Sequence, residues 1–252
     1  MRDGKNKFEK FKNMIDIRNI DCLEGLKELQ PNSVDLLITD PPYSTPVITS
    51  FGRKKFKNLA DLSVQEFYFK AIKTELERVM KQNGRVFIFC DDKFYPILYA
   101  VFYEWLNLGL IIWDKGKIGM GRPIRKQHEL IMYANQGTAE FQKFGEITHI
   151  PSVLKVKHDT NKIHGAQKPV ELLEYLVNGF SNENDLVVDL FGGSGSTAVA
   201  CKNLNRNFIG FELNQIIADA SLERLSSLSL KGEEKSFIKK DFTDELQFGE
   251  QM

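Results

Sequence analysis

Leu186–Thr197 reads LVVDLFGGSGST: an apolar run, a glycine-rich turn and the opening of a helix in one unbroken stretch. Gly192, Gly193 and Gly195 let backbone amides approach a ligand closely, and the first amides of the following helix favour negative charge. A strand feeding a helix through such a turn calls for a parallel sheet with helices packed on it. The rest of the chain supplies one. Strand-like runs at Ile15–Asp21, Val34–Thr39, Arg85–Cys90, Leu186–Leu190 and Phe208–Glu212 alternate with helical patterns at Cys22–Leu29, Val64–Lys81, Tyr95–Leu106, Pro169–Phe180, Ser196–Leu204 and Asn214–Leu228. Asn83-Gly84 is expected to stop the helix before it. Leu108–Trp113 and Glu129–Tyr133 read as two further strands, an antiparallel pair. The fold class is therefore α/β, a doubly wound, mostly parallel sheet with an antiparallel pair.

A chain of 252 residues is long enough for a sizeable core, and we read it as a single domain. Its 34 Lys and Arg balance 34 Asp and Glu, so any surface that meets nucleic acid must be local rather than global. Cys22, Cys90 and Cys201 are odd in number and far apart, which argues against a disulfide framework and a zinc site; no metal is expected. The Lys-rich start lacks the apolar stretch of a signal peptide, and no apolar run is long enough to cross a bilayer. A soluble, cytoplasmic protein with no membrane partner is the expectation.

The second informative stretch is Val34–Tyr43, where an apolar strand runs into Asp40-Pro41-Pro42-Tyr43. Two adjacent prolines fix their own φ angles and lack amide hydrogens, so the Asp40 and Pro41 carbonyls cannot join a continuing helix or central strand. With the Asp40 carboxylate and the Tyr43 ring they make a set of acceptors for an amino group beside a flat stacking surface. A blander alternative is a strand ending in a Pro-rich turn with Tyr43 as rim packing. Glu212 closes the strand after the glycine turn, 20 residues beyond Gly192, where a carboxylate grips ribose hydroxyls. That pattern also serves dinucleotides: Gly193-x-Gly195-x-x-Ala198 satisfies a looser nicotinamide fingerprint. The two motifs together discriminate. A dehydrogenase needs a placed His or Lys for a substrate hydroxyl, and none is evident. A methyltransferase needs a cradle for its cofactor and acceptors for an incoming amine, and both are present.

On these residues the chain resembles the S-adenosylmethionine-dependent amino-methyltransferases of DNA, whose catalytic motif is [D/N/S]PP[Y/F/W] and whose cofactor motif is of the FxGxG type. Asp40–Tyr43 comes first and Phe191–Gly195 about 150 residues later, as in the circularly permuted beta group. The resemblance spans roughly residues 15–228, including Trp113-Asp-Lys115, His128-Glu129 and His164-Gly-Ala-Gln-Lys168-Pro169. It departs from the family pattern at Gly165-Ala166, where Pro usually follows the His, and at Leu190, where Pro usually precedes Phe191.

The resemblance implies a Rossmann-like methyltransferase fold, S-adenosylmethionine as cofactor and duplex DNA as partner. Asp40, Pro41, Pro42 and Tyr43 are its catalytic residues. Asp21, Lys168, Asp189, Phe191, Gly192, Gly193, Gly195 and Glu212 hold the cofactor, with Asp21 toward adenine and the Lys168 segment toward the methionine part. Lys240-Asp241-Phe242 competes with Asp21 for the adenine role; the spacing of Asp21 to Asp40 favours Asp21. The implied layout is a catalytic half at 15–136, a short target-recognition insert at 137–163, a cofactor half at 164–228 and a charge-rich tail at 229–252.

The expected reaction is methylation of the N6 amine of a flipped adenine at a short specific site, since Asp in the first motif position is typical of adenine-N6 members and Ser of cytosine-N4 members. Basic clusters at Arg53, Lys54, Lys55 and Lys57, at Arg122, Arg125 and Lys126, and at Lys155, Lys157 and Lys162 are candidate DNA contacts, each also readable as a solvated face. His128, His149, His158 and His164 read as polar packing or phosphate contacts. A homodimer is compatible with the family. The alternatives are cytosine-N4 methylation, RNA adenine methylation and a non-catalytic specificity subunit.

Overall fold

The computed structural model describes residues 14–42, 62–119, 123–137, 150–157 and 167–230. Tyr43, Arg53, Lys54, Lys55, Lys57, Arg122, Lys162, His149, His158, His164 and Asp241 lie outside the described residues. In chain order the elements are β1 (Ile15–Arg18), α1 (Cys22–Glu28), β2 (Val34–Thr39), α2 (Leu62–Val79), β3 (Met80–Cys90), α3 (Tyr95–Phe102), β4 (Leu106–Asp114), β5 (His128–Asn135), β6 (Val153–Lys155), α4 (Val170–Phe180), β7 (Leu186–Asp189), α5 (Ser196–Asn203), β8 (Asn207–Phe211) and α6 (Gln215–Leu230).

Among the described residues the strands form one sheet in the order β1-β8-β7-β2-β3-β5-β4-β6. The pairs from β1 through β8, β7 and β2 to β3 are parallel, β5 runs antiparallel to both β3 and β4, and β6 is parallel to β4. A sheet covered on both faces needs apolar residues on both sides of its central strands, which is why Leu36–Ile38, Val86–Cys90 and Leu186–Val188 read as unbroken apolar runs. In β3, Phe87 and Phe89 pack toward Leu172, Leu176 and Phe180 of α4, while Val86, Ile88 and Cys90 pack toward Phe69, Leu76, Leu98 and Phe102 of α2 and α3.

Several element bounds differ from the sequence expectation: the helix expected over Tyr95–Leu106 ends at Phe102 and Leu106 opens β4, and the strand expected over Ile15–Asp21 ends at Arg18. The helix expected to reach Lys81 ends at Val79, because Met80 pairs with Val34 and the chain is already in β3. Asn83 sits within that strand at φ 79°, so its left-handed backbone marks an irregularity in the strand and not a helix end. The strand β6 has no alternating signature and lies in the stretch expected to be an insert; Ile112↔Val153 and Asp114↔Lys155 place it on the main sheet.

Candidate active site

The strand order reverses between β2 and β7: the chain moves outward from β2 to β3 on one side and from β7 to β8 on the other. In an open parallel sheet, ligands bind in the crevice at the carboxyl ends of strands at such a point. Along that edge, in spatial order, the strand ends deliver Asp21 beyond β1, Glu212 after β8, Asp189 closing β7, Asp40 after β2 and Asp91 after β3. The antiparallel β5 brings its first residues, His128 and Glu129, to the same edge, since Asp114 pairs with His128 and Cys90 with Leu130.

Asp40 is half-buried and Pro41 is buried. The Lys168 ammonium lies 2.5 Å from Asp40 Oδ2 and 3.2 Å from Glu129 Oε2, with Phe89's ring centroid 5.1 Å away. Lys115 reaches Glu129 Oε1 from the other side at 3.4 Å. Burial works against the charge on Lys168, but the Asp40 and Glu129 carboxylates outweigh it and hold the ammonium's pKa above its ordinary value. Burial likewise opposes the charge on Glu129, and Lys168 and Lys115 overcome it and keep the carboxyl below the usual range. Lys168, expected with the methionine part of the cofactor, is thus placed on the Asp40 carboxylate.

The next residues of the tetrapeptide are held from α2. Gln65, buried, donates Nε2–H to the Pro42 carbonyl at 2.9 Å. One turn later Tyr68 donates its hydroxyl to Asp21 Oδ2 at 3.0 Å, while Asp21 Oδ1 accepts the Leu23 amide at 2.9 Å and so caps α1. Cys22 Sγ lies 3.1 Å from the Tyr68 hydroxyl; burial pushes its thiol up to about 12, so the thiol stays neutral.

The glycine turn is built to be approached. Gly193 and Gly195 have φ of 50° and 73°, a region that penalises any side chain, and a Cβ on Gly192 would stand 3.4 Å from the Phe211 carbonyl oxygen. Glu212 straddles the turn: Oε2 accepts the Gly193 amide at 3.0 Å and Oε1 the Asn214 amide at 2.8 Å. From α6, Ser221 donates to the Gly193 carbonyl and Arg224 to the Ser194 carbonyl at 2.9 Å. Asp189 is turned inward. Its Oδ1 accepts Thr39 Oγ1–H at 2.9 Å and the Phe191 amide at 3.1 Å, its Oδ2 accepts Thr197 Oγ1–H at 2.8 Å, and burial raises its pKa to about 6. It braces β2, β7 and α5 against one another directly beneath the two motifs.

A flat glycine turn flanked by the Glu212 and Asp21 carboxylates fits a nucleoside with vicinal hydroxyls and a ring amino group, because carboxylates accept from both. Among the described residues no group of His, Cys, Asp and Glu side chains is arranged to hold a metal, and no helix is long and apolar enough to cross a membrane. Arg125 and Lys126 are exposed on the β4–β5 connection at this edge, and Lys126 pairs with Asp92. Lys155 and Lys157 are exposed at the end of β6 and just beyond it. Gln65, Tyr68, Thr39, Thr197, Ser221 and Arg224 were not singled out by sequence; Lys115 and Glu129 lie in stretches that resembled the family but carried no assigned role.

A family model described as DNA methylase, that of the N6/N4 methyltransferases, matches residues 34–223. The Type II methyltransferase M.HpaI of Haemophilus parainfluenzae is 29% identical over 232 residues, covering 82% of this chain and 72% of that protein. The Type II methyltransferase M.HhaII of Haemophilus parahaemolyticus is 31% identical over 168 residues, covering 64% and 70%. Among solved structures, the M1.HpyAVI–SAM complex superposes with a TM-score of 0.63 at 28% identity, over 84% of this chain and 100% of that one. The cytosine-N4-specific PvuII DNA methyltransferase shares the fold, with a TM-score of 0.68 at 17% identity, over 95% and 93%. The chain belongs to the N6/N4 DNA methylase family.

Proposed function

We propose that this DNA methylase takes S-adenosylmethionine as methyl donor and methylates the exocyclic N6 amine of an adenine flipped out of duplex DNA. The observation that carries the reading is the adjacency of the two motifs. β2 and β7 pair at Leu36↔Val187 and Leu37↔Val188, so Asp40 and the Gly192–Gly195 turn leave neighbouring strands at the same edge. Amine acceptors and nucleoside cradle therefore share one crevice.

S-adenosylmethionine supplies an electrophilic methyl on sulfur when bound. Glu212 is positioned for the ribose hydroxyls and Asp21 for the adenine, while Gly192, Gly193 and Gly195 with Phe191 line the approach. The Asp40 carboxylate and Pro41 carbonyl accept the two hydrogens of the target amine. That favours a pyramidal nitrogen and aims its lone pair, otherwise delocalised into the ring, along one direction. Holding nucleophile and electrophile in line accounts for much of the acceleration. Extruding the base costs a few kcal/mol, and stacking on Tyr43 returns about 1–3 kcal/mol.

Asp at position 40 supports adenine over cytosine as the target. Arg125 and Lys126, exposed on the β4–β5 connection, are assigned to phosphate contact, together with Arg53, Lys54, Lys55, Lys57 and Arg122. The test is transfer of labelled methyl from S-adenosylmethionine to duplex DNA. The Asp40→Ala variant should lose transfer yet keep cofactor affinity; loss of both together, or of neither, contradicts the assignment.

A further inference from the structure

We propose that Lys168 is a positioning residue that keeps Asp40 a permanently anionic hydrogen-bond acceptor, so that Asp40 is not the base that takes the amine's proton. The inference rests on the methyl-transfer reading and specifies how its central carboxylate works. Four charges stand in an alternating line: Asp40 from the end of β2, Lys168 from the segment before α4, Glu129 from the start of β5 and Lys115 from just after β4. The line is balanced, two anions against two cations. An ammonium has three donors and no acceptor, so Lys168, its side chain only 10% exposed, remains charged there by virtue of both carboxylates. Protonating Asp40 would leave that buried ammonium with Glu129, which Lys115 already shares.

Among the described residues, Cys90 and Asp189 also feel the Asp40 charge, and neither reverses this. Cys90 is pushed up to about 12 by burial and stays a thiol. Asp189 is satisfied by Thr39, Thr197 and the Phe191 amide, and its own pKa is raised first by burial and, least among its causes, by the Asp40 charge. The nitrogen–carbon bond forms as the sulfur–carbon bond breaks, the bonding pair stays with sulfur, and the nitrogen's surplus proton passes to water. Asp40 orients the amine through acceptance and ends the cycle as it began, ionised.

The experiment uses the full chain with Lys168→Met, Lys168→Arg and Glu129→Gln, and reads three quantities: single-turnover transfer to duplex DNA against pH, S-adenosylmethionine affinity by calorimetry, and the carboxyl resonances of 13C-labelled aspartate in the cofactor-free protein. In the unaltered chain the Asp40 resonance should stay that of a carboxylate across the pH range in which transfer is measured, with no loss of rate that follows its protonation. Lys168→Met removes the cation paired with Asp40, so its Asp40 resonance should titrate at a higher pH than in the unaltered chain, and its rate should fall as that carboxyl protonates. Lys168→Arg should restore the flat profile. Glu129→Gln, which releases Lys168 from its second carboxylate, should leave the acid limb no higher than in the unaltered chain, and it provides a test should Lys168→Met not fold. An unchanged profile in Lys168→Met with a loss of cofactor affinity would overturn the inference and return Lys168 to the cofactor. So would an Asp40 that titrates near neutrality in the unaltered chain, or a limb driven upward by Glu129→Gln. Absence of transfer by the unaltered chain would instead strike the methyl-transfer reading, and the cofactor-free resonances would still decide the state of Asp40.

Discussion

Gln65 and Tyr68, one turn apart on α2, hold opposite ends of the site: Gln65 donates to the Pro42 carbonyl at 2.9 Å and Tyr68 to the Asp21 carboxylate at 3.0 Å. One helix thereby fixes the spacing between the proposed amine acceptors and the proposed adenine acceptor. The rest of its inner face, Phe69, Ile72 and Leu76, is core. A rigid, packed helix is a better ruler than a loop, and misplacement by about 1 Å costs on the order of 10²-fold in a reaction that depends on alignment.

Tyr68→Phe removes one donor to the Asp21 carboxylate and little volume. A hydrogen bond to a charged group is worth about 1.5–3 kcal/mol, so cofactor affinity should fall roughly tenfold or more while the rate at saturating cofactor changes less. Calorimetric titration with S-adenosylmethionine checks this; unchanged affinity would separate Asp21 from cofactor binding.

Gln65→Leu keeps the buried volume and releases the Pro42 carbonyl. The expected result is a fall in the turnover rate of about tenfold with cofactor affinity held within a factor of about two, since a net hydrogen bond of about 1 kcal/mol and the alignment it secures are lost only at the tetrapeptide. Steady-state kinetics alongside calorimetry makes the distinction.

Asp189 gives a pH prediction with a definite sign. Its folded pKa of about 6 lies above the unfolded value of about 3.9, so the folded state binds the proton first as pH falls. The ionised group therefore costs stability above about pH 6, and that cost is relieved between about pH 6 and pH 4. Asp189→Asn retains an acceptor for Thr39 and the Phe191 amide and offers Thr197 a donor. It should be more stable than the unaltered chain at pH 8, by about 2 kcal/mol, and lose that advantage by about pH 4. Urea unfolding at the two pH values checks it, and a variant equally destabilised at both would show that the charge itself is needed.

On the rim, Arg125→Ala and Lys126→Ala should each weaken duplex binding and reduce the slope of log K against log salt by about 0.9. Lys126 pairs with Asp92, whose carboxyl it holds below the usual range, but an exposed pair of this kind contributes about 1 kcal/mol at most. Asp92→Asn should accordingly strengthen DNA binding with little change in Tm. Fluorescence anisotropy across a salt series is the measurement, and a slope unaffected by both substitutions would place the DNA elsewhere.

The parts of the site that were legible in the sequence are those where chemistry is local. Val34–Asp40 is mostly apolar, with Leu36–Ile38 leading through Thr39 to a carboxylate at its end, and LVVDLFGGSGST contains strand, turn and helix in sequence, so both strand ends and their order could be read directly. What was illegible depends on the sheet. Lys168 and Asp40 are 128 positions apart and meet because α4 starts over the edge where β2 ends. Glu129 reaches that edge because β5 runs antiparallel, which brings its first residue, not its last, to the site. Gln65 and Tyr68 sit in an amphipathic helix, where a polar residue at a core-facing position carries no mark of what it touches. Met80 belongs to β3 through its pairing with Val34, a tertiary contact that overrides the helical pattern running to Lys81. Asp189 resembled a cofactor ligand by position, and the two threonines that occupy its carboxylate, Thr39 and Thr197, lie 150 and 8 residues away.

The measurement that bears most directly on the central claim is nucleoside mass spectrometry of duplex DNA after incubation with the protein and S-adenosylmethionine, beside the Asp40→Ala variant. N6-methyladenine is the expected product, present with the unaltered chain and missing with the variant. N4-methylcytosine in its place would contradict the adenine assignment, and DNA without any methylated base would contradict the reaction.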